Sequence, residues 1–431
     1  MKQPCKSGAY SISNLPVEVI ELILNFLPIK DAARTSVLSR DWRHHWRSIP
    51  RLVFDGDFAS LRSRKSWSRS NLRQLMTSIY QALQVHDGPI TEFVLAIPRL
   101  TTYAKIDHIL RYLSSKGVLK LELHFDDVEL FELEIRSSLF SAVQLTSLKL
   151  DGCNLKPPSW FEGFSKLTVL ELKMAAVLPE FFESFLPKCP LLEELKILNC
   201  LNTEEIELVA PCLKTFLFFG YIGSLHFKRT PLLSVVSILV DDEADENDME
   251  VVFANLPALQ QLYVSFEFLE ELCIGGPVPR RLPTLLHCLE DLAVRSCAFI
   301  DYYHGSFGDS VLFCLIRSSP NLKTLTMQME SAGKLPALPR RNMPESQSLE
   351  SAGKLPVVGC IQCLAEVKIL GSYGSQFELD VVKFVSANAP QLHRILITSA
   401  YKQGLEKGLK FLERVRRCKR ISKNAEIIQQ I

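Results

Sequence analysis

Few residues in this chain stand together in a way that could do chemistry. Cys360 and Cys363 form its one CxxC, a spacing used by zinc sites. A structural zinc needs four ligands, and no second pair stands at a matching distance. The pair therefore reads as two structural cysteines. His44 and His45 are adjacent, but neighbours on a helix point about 100° apart, so one ion does not take both. They read as solvated or partner-facing. The acidic run DDEADENDME at 241–250 has the charge for a cation or a basic partner, and reads as a solvated loop. Two basic tracts, RSRKSWSRSNLR at 62–73 and RVRRCKRISK at 414–423, have the charge to hold phosphates or to act as a nuclear address. The first reads as a link between segments. The second shares a helix with Glu406 and Glu413 and reads as a solvated terminal helix. No Gly-rich phosphate loop, HExxH or GxSxG is present. The expectation is a non-catalytic protein that uses no cofactor and no metal.

With no reacting set to position, the elements themselves carry the information. The chain has 431 residues, 47% of them hydrophobic, and a formal net charge of +1. A large core is possible, and there is no global pull towards nucleic acid or membrane. The start MKQPCKSGAYS has no apolar signal region, and no apolar run reaches the length of a membrane span. Twelve scattered cysteines fit reduced thiols. These readings place the chain in the cytoplasm, the nucleus or both.

The pattern L-x-x-L-x-L, with other apolar residues allowed, recurs from Ile90 to Leu392 as ITEFVL, VLKLEL, LTSLKL, LTVLEL, LEELKI, LKTFLF, LSVVSI, LQQLYV, LEDLAV, LKTLTM, LAEVKI and LHRILI. Most copies lie 20 to 33 residues apart. That period predicts a leucine-rich-repeat solenoid of the α/β class, in which each copy is a short strand stacked in parallel on the next. Cys153, Cys200 and Cys297 each fall three residues after the last strand apolar, where such repeats place a turn residue. Pro190, Pro211, Pro257, Pro320 and Pro390 stand just before strands and read as helix stops. The duplicated ESAGKLP at 330 and 350 reads as a surface insertion.

The stretch NLPVEVIELILNFLPIKDAARTSVLSRDWRHHW at 14–46 predicts three short helices. Pro16 suits the start of the first, which carries Val17, Ile20, Ile23, Leu24 and Leu27 at helical spacing until Pro28 stops it. Asp31 is the expected cap of the second, with Ala33, Val37 and Leu38, and Ser39 of the third, with Trp42 and Trp46. A unit of about 40 residues cannot cover all these side chains itself, so some are expected to pack on the first repeats and the rest imply a partner that supplies the missing core. The stretch resembles the F-box, in the form LPxExxxxILxFLPxKDxxRTSxLSxxWRxxW found in plants. The segment GCIQCLAEVKILGSYGSQFELDVVKFVSANAPQLHRILI at 359–397 is similar to the FBD domain. The whole chain resembles a plant F-box/FBD/LRR-repeat protein.

The resemblance implies an F-box at 10–56, a helical junction at 57–88, repeats at 89–358 with an insertion at 330–357, and an FBD domain with a C-terminal helix at 359–431. It implies the substrate-recognition subunit of an SCF-type ubiquitin ligase, joined through a Skp-type adaptor to cullin and RING subunits. Carried over by position, the adaptor contacts are Leu15, Pro16, Ile20, Leu24, Leu27, Val37, Leu38 and Trp42, with Trp46 at the junction to the repeats. A protein substrate is expected on the concave face of the repeats. Early copies offer charges there: Lys149, Asp151, Glu171, Lys173, Glu194 and Lys196. Leu217, Phe219, Val235, Leu239 and Tyr263 form an apolar set and are the expected substrate contacts. The alternatives are a nuclear repeat scaffold and a nucleic-acid-associated factor working outside a cullin complex.

Overall fold

The computed structural model describes residues 12, 15–40, 42–58, 69–97, 103–125, 134–135, 137–177, 181–240, 249–272, 278–297, 307–330, 361–399, 405–422 and 425–430. They divide into two units: Met1–Leu178 with Lys188–Leu192, and Pro179–Pro187 with Glu193–Ile431. The ESAGKLP duplication after Glu330, residues 241–248 of the acidic run, most of the first basic tract and Cys360 lie outside the described residues.

The first unit opens with three short helices: α1 (Val17–Asn25), α2 (Ile29–Arg34) and α3 (Trp42–His45). Pro16 and Pro28 stand immediately before α1 and α2, and their carbonyls take the first ladder bonds, from Val19 and Ile20 and from Asp31 and Ala32. Asp31 is therefore not the cap expected of it. It lies inside the first turn of α2, where a carboxylate suits the helix dipole, and pairs with Arg34 at 2.9 Å. Ser39 does cap α3, accepting from Trp42 N at 3.3 Å.

Strand β1 (Arg51–Phe54), α4 (Arg69–Gln84), β2 (Glu92–Ala96), α5 (Tyr103–Lys116) and β3 (Lys120–His124) follow. The unit is completed by β4 (Glu134–Ile135), β5 (Ser147–Asp151), β6 (Asn154–Leu155) and β7 (Val169–Lys173). The strands β1, β2, β3, β5 and β7 pair in parallel in that order. Register carries Leu121, Leu148 and Leu170 into one buried row and Leu123, Leu150 and Leu172 into another. Each such leucine contributes about 2 kcal/mol by leaving water. The helices α4 and α5 add buried Ile79, Leu83, Ile109 and Leu113, and Tyr112 Oη donates to Leu83 O at 2.9 Å.

The stretch between α3 and β1 is held to the turn before β2 largely by backbone. Arg47 O accepts from Asp87 and Gly88, and Pro50 O from Thr91 and Glu92. A side chain at Gly88 would meet the Ser48 backbone at 2.8 Å, so only glycine allows this approach. Buried His86 donates from Nε2 to Ile49 O at 2.9 Å. Trp46 is half-buried at the start of a 3-10 turn, Trp46–Ser48.

The second unit contains β8 (Glu194–Leu198), β9 (Glu205–Val209), β10 (Thr215–Phe219), β11 (Ser224–Arg229), β12 (Val235–Leu239), α6 (Met249–Phe253), β13 (Gln261–Ser265), α7 (Phe266–Glu271) and β14 (Asp291–Cys297). Then come α8 (Phe307–Ser318), β15 (Thr324–Glu330), β16 (Glu366–Ser372), α9 (Gln376–Asn388), β17 (Arg394–Ser399), α10 (Leu405–Arg416) and β18 (Glu426–Gln430). The strands β8, β10 and β12 to β18 pair in parallel, and β9 pairs with β11 in a small second sheet. The segment expected to hold the FBD domain supplies β16 to β18 and continues the same ladder from β15. Its loop before α9 is organised by Glu378, fully buried, which accepts from Ser372 Oγ and the amides of Tyr373 and Gly374.

All twelve repeat copies are strands. The sequence reading missed β1, although Ile49, Leu52 and Phe54 fit the pattern as Ile90, Phe93 and Leu95 do, and missed β18, where EIIQQ has no leading apolar residue. The proline reading holds where α6, α8 and α9 precede Pro257, Pro320 and Pro390. It fails at Pro211, which follows β9: the alternation of EIELV makes a strand there. Cys153 and Cys200 are buried in their turns.

Candidate functional site

Among the described residues, one surface on the helices and one on the sheet carry apolar side chains that their own unit leaves exposed or half-buried. The first is on α1. Ile20 and Leu24 are four apart and turn inward, at 1% and 0% exposure, and Trp42 on α3 is equally buried, its Nε1 donating to Ile12 O at 3.0 Å. Val19, Leu22 and Phe26 are spaced three and four apart on the other side and stay exposed, Phe26 at 82%. Half-buried Ile23 adjoins this stripe. So α1 is apolar on two faces, and a nine-residue helix of that kind is stable when something covers the second face. Beyond α2, Val37 is 88% exposed and Leu38 also faces solvent.

The structure thus divides the residues expected at the adaptor interface. Pro16, Val37 and Leu38 are exposed, Leu15 and Leu27 are half-buried, and Ile20, Leu24 and Trp42 are closed within the unit, where they hold the helices together. The stripe Val19, Leu22 and Phe26 escaped the sequence reading because the stronger period of Ile20, Leu24 and Leu27 was taken alone. A second helical period offset by one residue was there to be found.

The second surface is the outward face of the sheet in the second unit. Alternation sends Phe216, Phe218, Val236, Ile238, Leu262 and Val264 into the core and turns their neighbours to the other face, where most are half-buried or exposed and Ser237 is buried. Parallel register then lines the outward residues up across strands. Leu198, Phe219 and Leu239 form one row over β8, β10 and β12. Leu217, Ser237, Tyr263 and Ala293 form the next, over β10 to β14. Thr215, Val235, Gln261 and Asp291 form the third. The five expected substrate contacts therefore share one face of three neighbouring strands, half-buried except for Tyr263, which is exposed. Leu198 was missed; its place after Lys196 in the alternation of β8 marks it. At the margins, Lys196 pairs with Glu194 at 2.5 Å, while Asp291 accepts from Gln261 at 3.4 Å and has no ion pair among the described residues.

The charged outward residues of the first unit neutralise one another. Lys149 pairs with Glu122 at 3.6 Å and Lys173 with Asp151 at 2.8 Å. Asp151, expected to offer a charge to solvent, is 5% exposed. Burial pushes its carboxyl up, and bonds from His124 and Lys173 outweigh that and hold it below the usual carboxylate range. His124 lies between Asp151 (3.4 Å) and Glu122 (2.7 Å), and its pKa is raised above 6.5. Asp151 is the main cause, ahead of the shorter Glu122 contact, because its side chain is far more shielded from water. In the second basic tract, Arg420 bonds Ala425 O and Arg416 O, while Arg416 and Arg417 are exposed. Among the described residues no group of three or more His, Cys, Asp or Glu is placed to hold a metal ion.

A family model described as "FBD-associated F-box protein At5g56370, LRR repeats" matches residues 106–327, and the F-box domain model matches residues 12–54. The F-box/FBD/LRR-repeat protein At1g13570 of Arabidopsis thaliana is 32% identical over 403 residues, covering 90% of this chain and 91% of that one. The FBD-associated F-box protein At5g56370 of Arabidopsis thaliana is 26% identical over 336 residues, 74% of each chain. The repeat match runs from α5 into β15, and the F-box match takes in α1 to β1. A chain with these helices, this parallel ladder and a relative of matching length belongs to the F-box/FBD/LRR-repeat proteins.

Proposed function

We propose that this chain is the substrate-recognition subunit of an SCF-type ubiquitin ligase, acting in the cytoplasm, the nucleus or both. An F-box implies binding to a Skp-type adaptor in general. The observation that carries the reading is the second apolar face of α1: Val19, Leu22 and Phe26 lie exposed on a helix whose other face already serves the core. With Leu15, Pro16, Leu27, Val37 and Leu38 they form the adaptor surface, while Ile20, Leu24 and Trp42 hold its shape. Cullin and RING subunits follow through the adaptor, and ubiquitin transfer belongs to them, so this chain works without catalysis of its own. The outward face at Leu217, Phe219, Val235, Leu239 and Tyr263 takes the protein substrate. The charged rows of the first unit are a poorer candidate, since their ion pairs are internally satisfied.

The test is co-purification of the full chain with a Skp-type adaptor and cullin, against Phe26→Asp with Leu22→Asp. Recovery of both partners by the wild type and loss by the variant supports the reading. Equal recovery of the two proteins, or none by the wild type, overturns it.

A further inference from the structure

The outward rows of the second unit have a geometry that selects among ligand shapes. Apolar residues run furthest across the strands: Leu198, Phe219 and Leu239 stand side by side in one row, while in the next Leu217 is parted from Tyr263 and Ala293 by buried Ser237. Along any one strand the apolar run is shorter, because Ser237 interrupts Val235 and Leu239 and polar Thr215 precedes Leu217. A ligand matching this shape lies across the strands. Its side chains must then repeat at the strand spacing of about 4.8 Å. A helix presents one apolar group per turn, about every 5.4 Å. An extended segment presents one every second residue, about 6.7 Å. Over two strand steps, about 9.6 Å, the helix is out of step by about 1 Å and the extended chain by nearly 4 Å. The two rows also lie about 6.7 Å apart, a width that the apolar stripe of a helix about 10 Å across can bridge.

The segment 241–248 that follows β12 is a poor occupant of this face. DDEADEND offers one alanine and no large apolar side chain to match Phe219 and Leu217. Charge points elsewhere as well: Asp291, at the β14 end of the third row and four residues before Arg295 on the same strand, has no ion pair among the described residues and accepts from the Gln261 amide.

We propose that the substrate is presented to this face as an amphipathic helix lying across β8 to β14, its apolar stripe on Leu198, Phe219, Leu239, Leu217 and Tyr263 and a basic residue of its flank at Asp291. The proposal rests on the substrate-receptor reading above.

A random library of displayed peptides of about 16 residues, some 24 Å as a helix, is selected on the full chain held with its Skp-type adaptor. The same selection is run on Phe219→Asp and Asp291→Lys. Melting temperature and adaptor affinity are measured for each protein, so that a folding defect is seen as such. The expected result is a set of peptides with apolar residues three and four apart and a Lys or Arg at one end. These should bind Phe219→Asp at least tenfold more weakly, and with Asp291→Lys the enriched end charge should turn acidic. Enrichment that depends on Phe219 but shows apolar residues two apart, or prolines within the stripe, overturns the helix and leaves the receptor face standing. Enrichment indifferent to Phe219→Asp, or none at all, overturns both the helix and the assignment of the face. An Asp291→Lys selection with unchanged end charge overturns the basic contact.

Discussion

At the scale of single residues, burial separates side chains that the sequence presents as equals. Leu24 and Phe26 both belong to the apolar run of α1, yet one is sealed and the other stands in water. Phe26→Asp should therefore weaken adaptor binding by about 2 kcal/mol or more, roughly thirtyfold, and leave the melting temperature within a few degrees of wild type. Leu15→Ala with Pro16→Ala should also cost a few kcal/mol of affinity. Ile20→Ala should instead lower stability by about 2 to 4 kcal/mol. Calorimetric titration paired with thermal melts reads both; an Ile20→Ala protein that melts normally would mean that the inner face is misassigned. Two histidines give opposite dependences on pH. His86 is held below 6.5, first by burial, which outweighs the backbone groups of Ile49 and Gly88 beside it, so protonation is costly. Its contribution is present above 6.5 and is lost as pH falls through its lowered folded value. His124 is held above 6.5 by Asp151, so its contribution is full below 6.5 and fades as pH rises through its raised folded value. Denaturant midpoints across about pH 5 to 8 should lose their alkaline decline in His124→Gln and their acid decline in His86→Gln. An unchanged profile in either variant would remove that histidine from the account. None of this was legible in the sequence, because His86 meets Ile49, and His124 meets Asp151, only once the chain has folded.

At the scale of elements the sequence said most. A leucine at every second or third position with a repeat of a few tens of residues has few solutions other than stacked parallel strands, and all twelve copies are there. Lysine at Leu148, Leu170, Leu195 or Leu292 should thus cost more than about 3 kcal/mol, since each would bury a charge without a partner. Lysine at Ser147, Val169 or Asp291, all on the outward face, should cost less than about 1 kcal/mol. Equal melting temperatures for the two sets would mean a register error. The turn that ends each strand follows a different rule. Gly152, Met174, Asn199 and Gly220 each come directly after a five-residue strand and each has a positive φ. Glycine and asparagine accept that conformation, whereas methionine is strained by roughly 1 kcal/mol. Met174→Asn should raise the denaturation midpoint slightly, and Gly152→Ala should lower it, because its Cβ would also meet Phe125 O. Strand chemistry is written in side chains and so was legible. Turn conformation is written in φ, and Met174 gives no sign of it.

At the scale of the molecule, each unit is a ladder in which a strand bonds only to the strands beside it. In the second unit, damage should stay near its source. Leu262→Lys in β13 should cost amide protection in β12 to β14 well before β17 and β18, as hydrogen exchange would read, and uniform loss along the ladder would show one all-or-none core instead. The same unbroken register has a consequence for how such a protein can change. Within β10 and β12, alternate letters are open to different tasks: Phe216, Phe218, Val236 and Ile238 are committed to the core, and the outward residues between them are free to answer to whatever that face is proposed to hold. A lineage can rewrite the second set while copying the first, so new recognition arises without a passage through unfolded intermediates. Two chains alike in their inward letters can then differ in what the outward face would take.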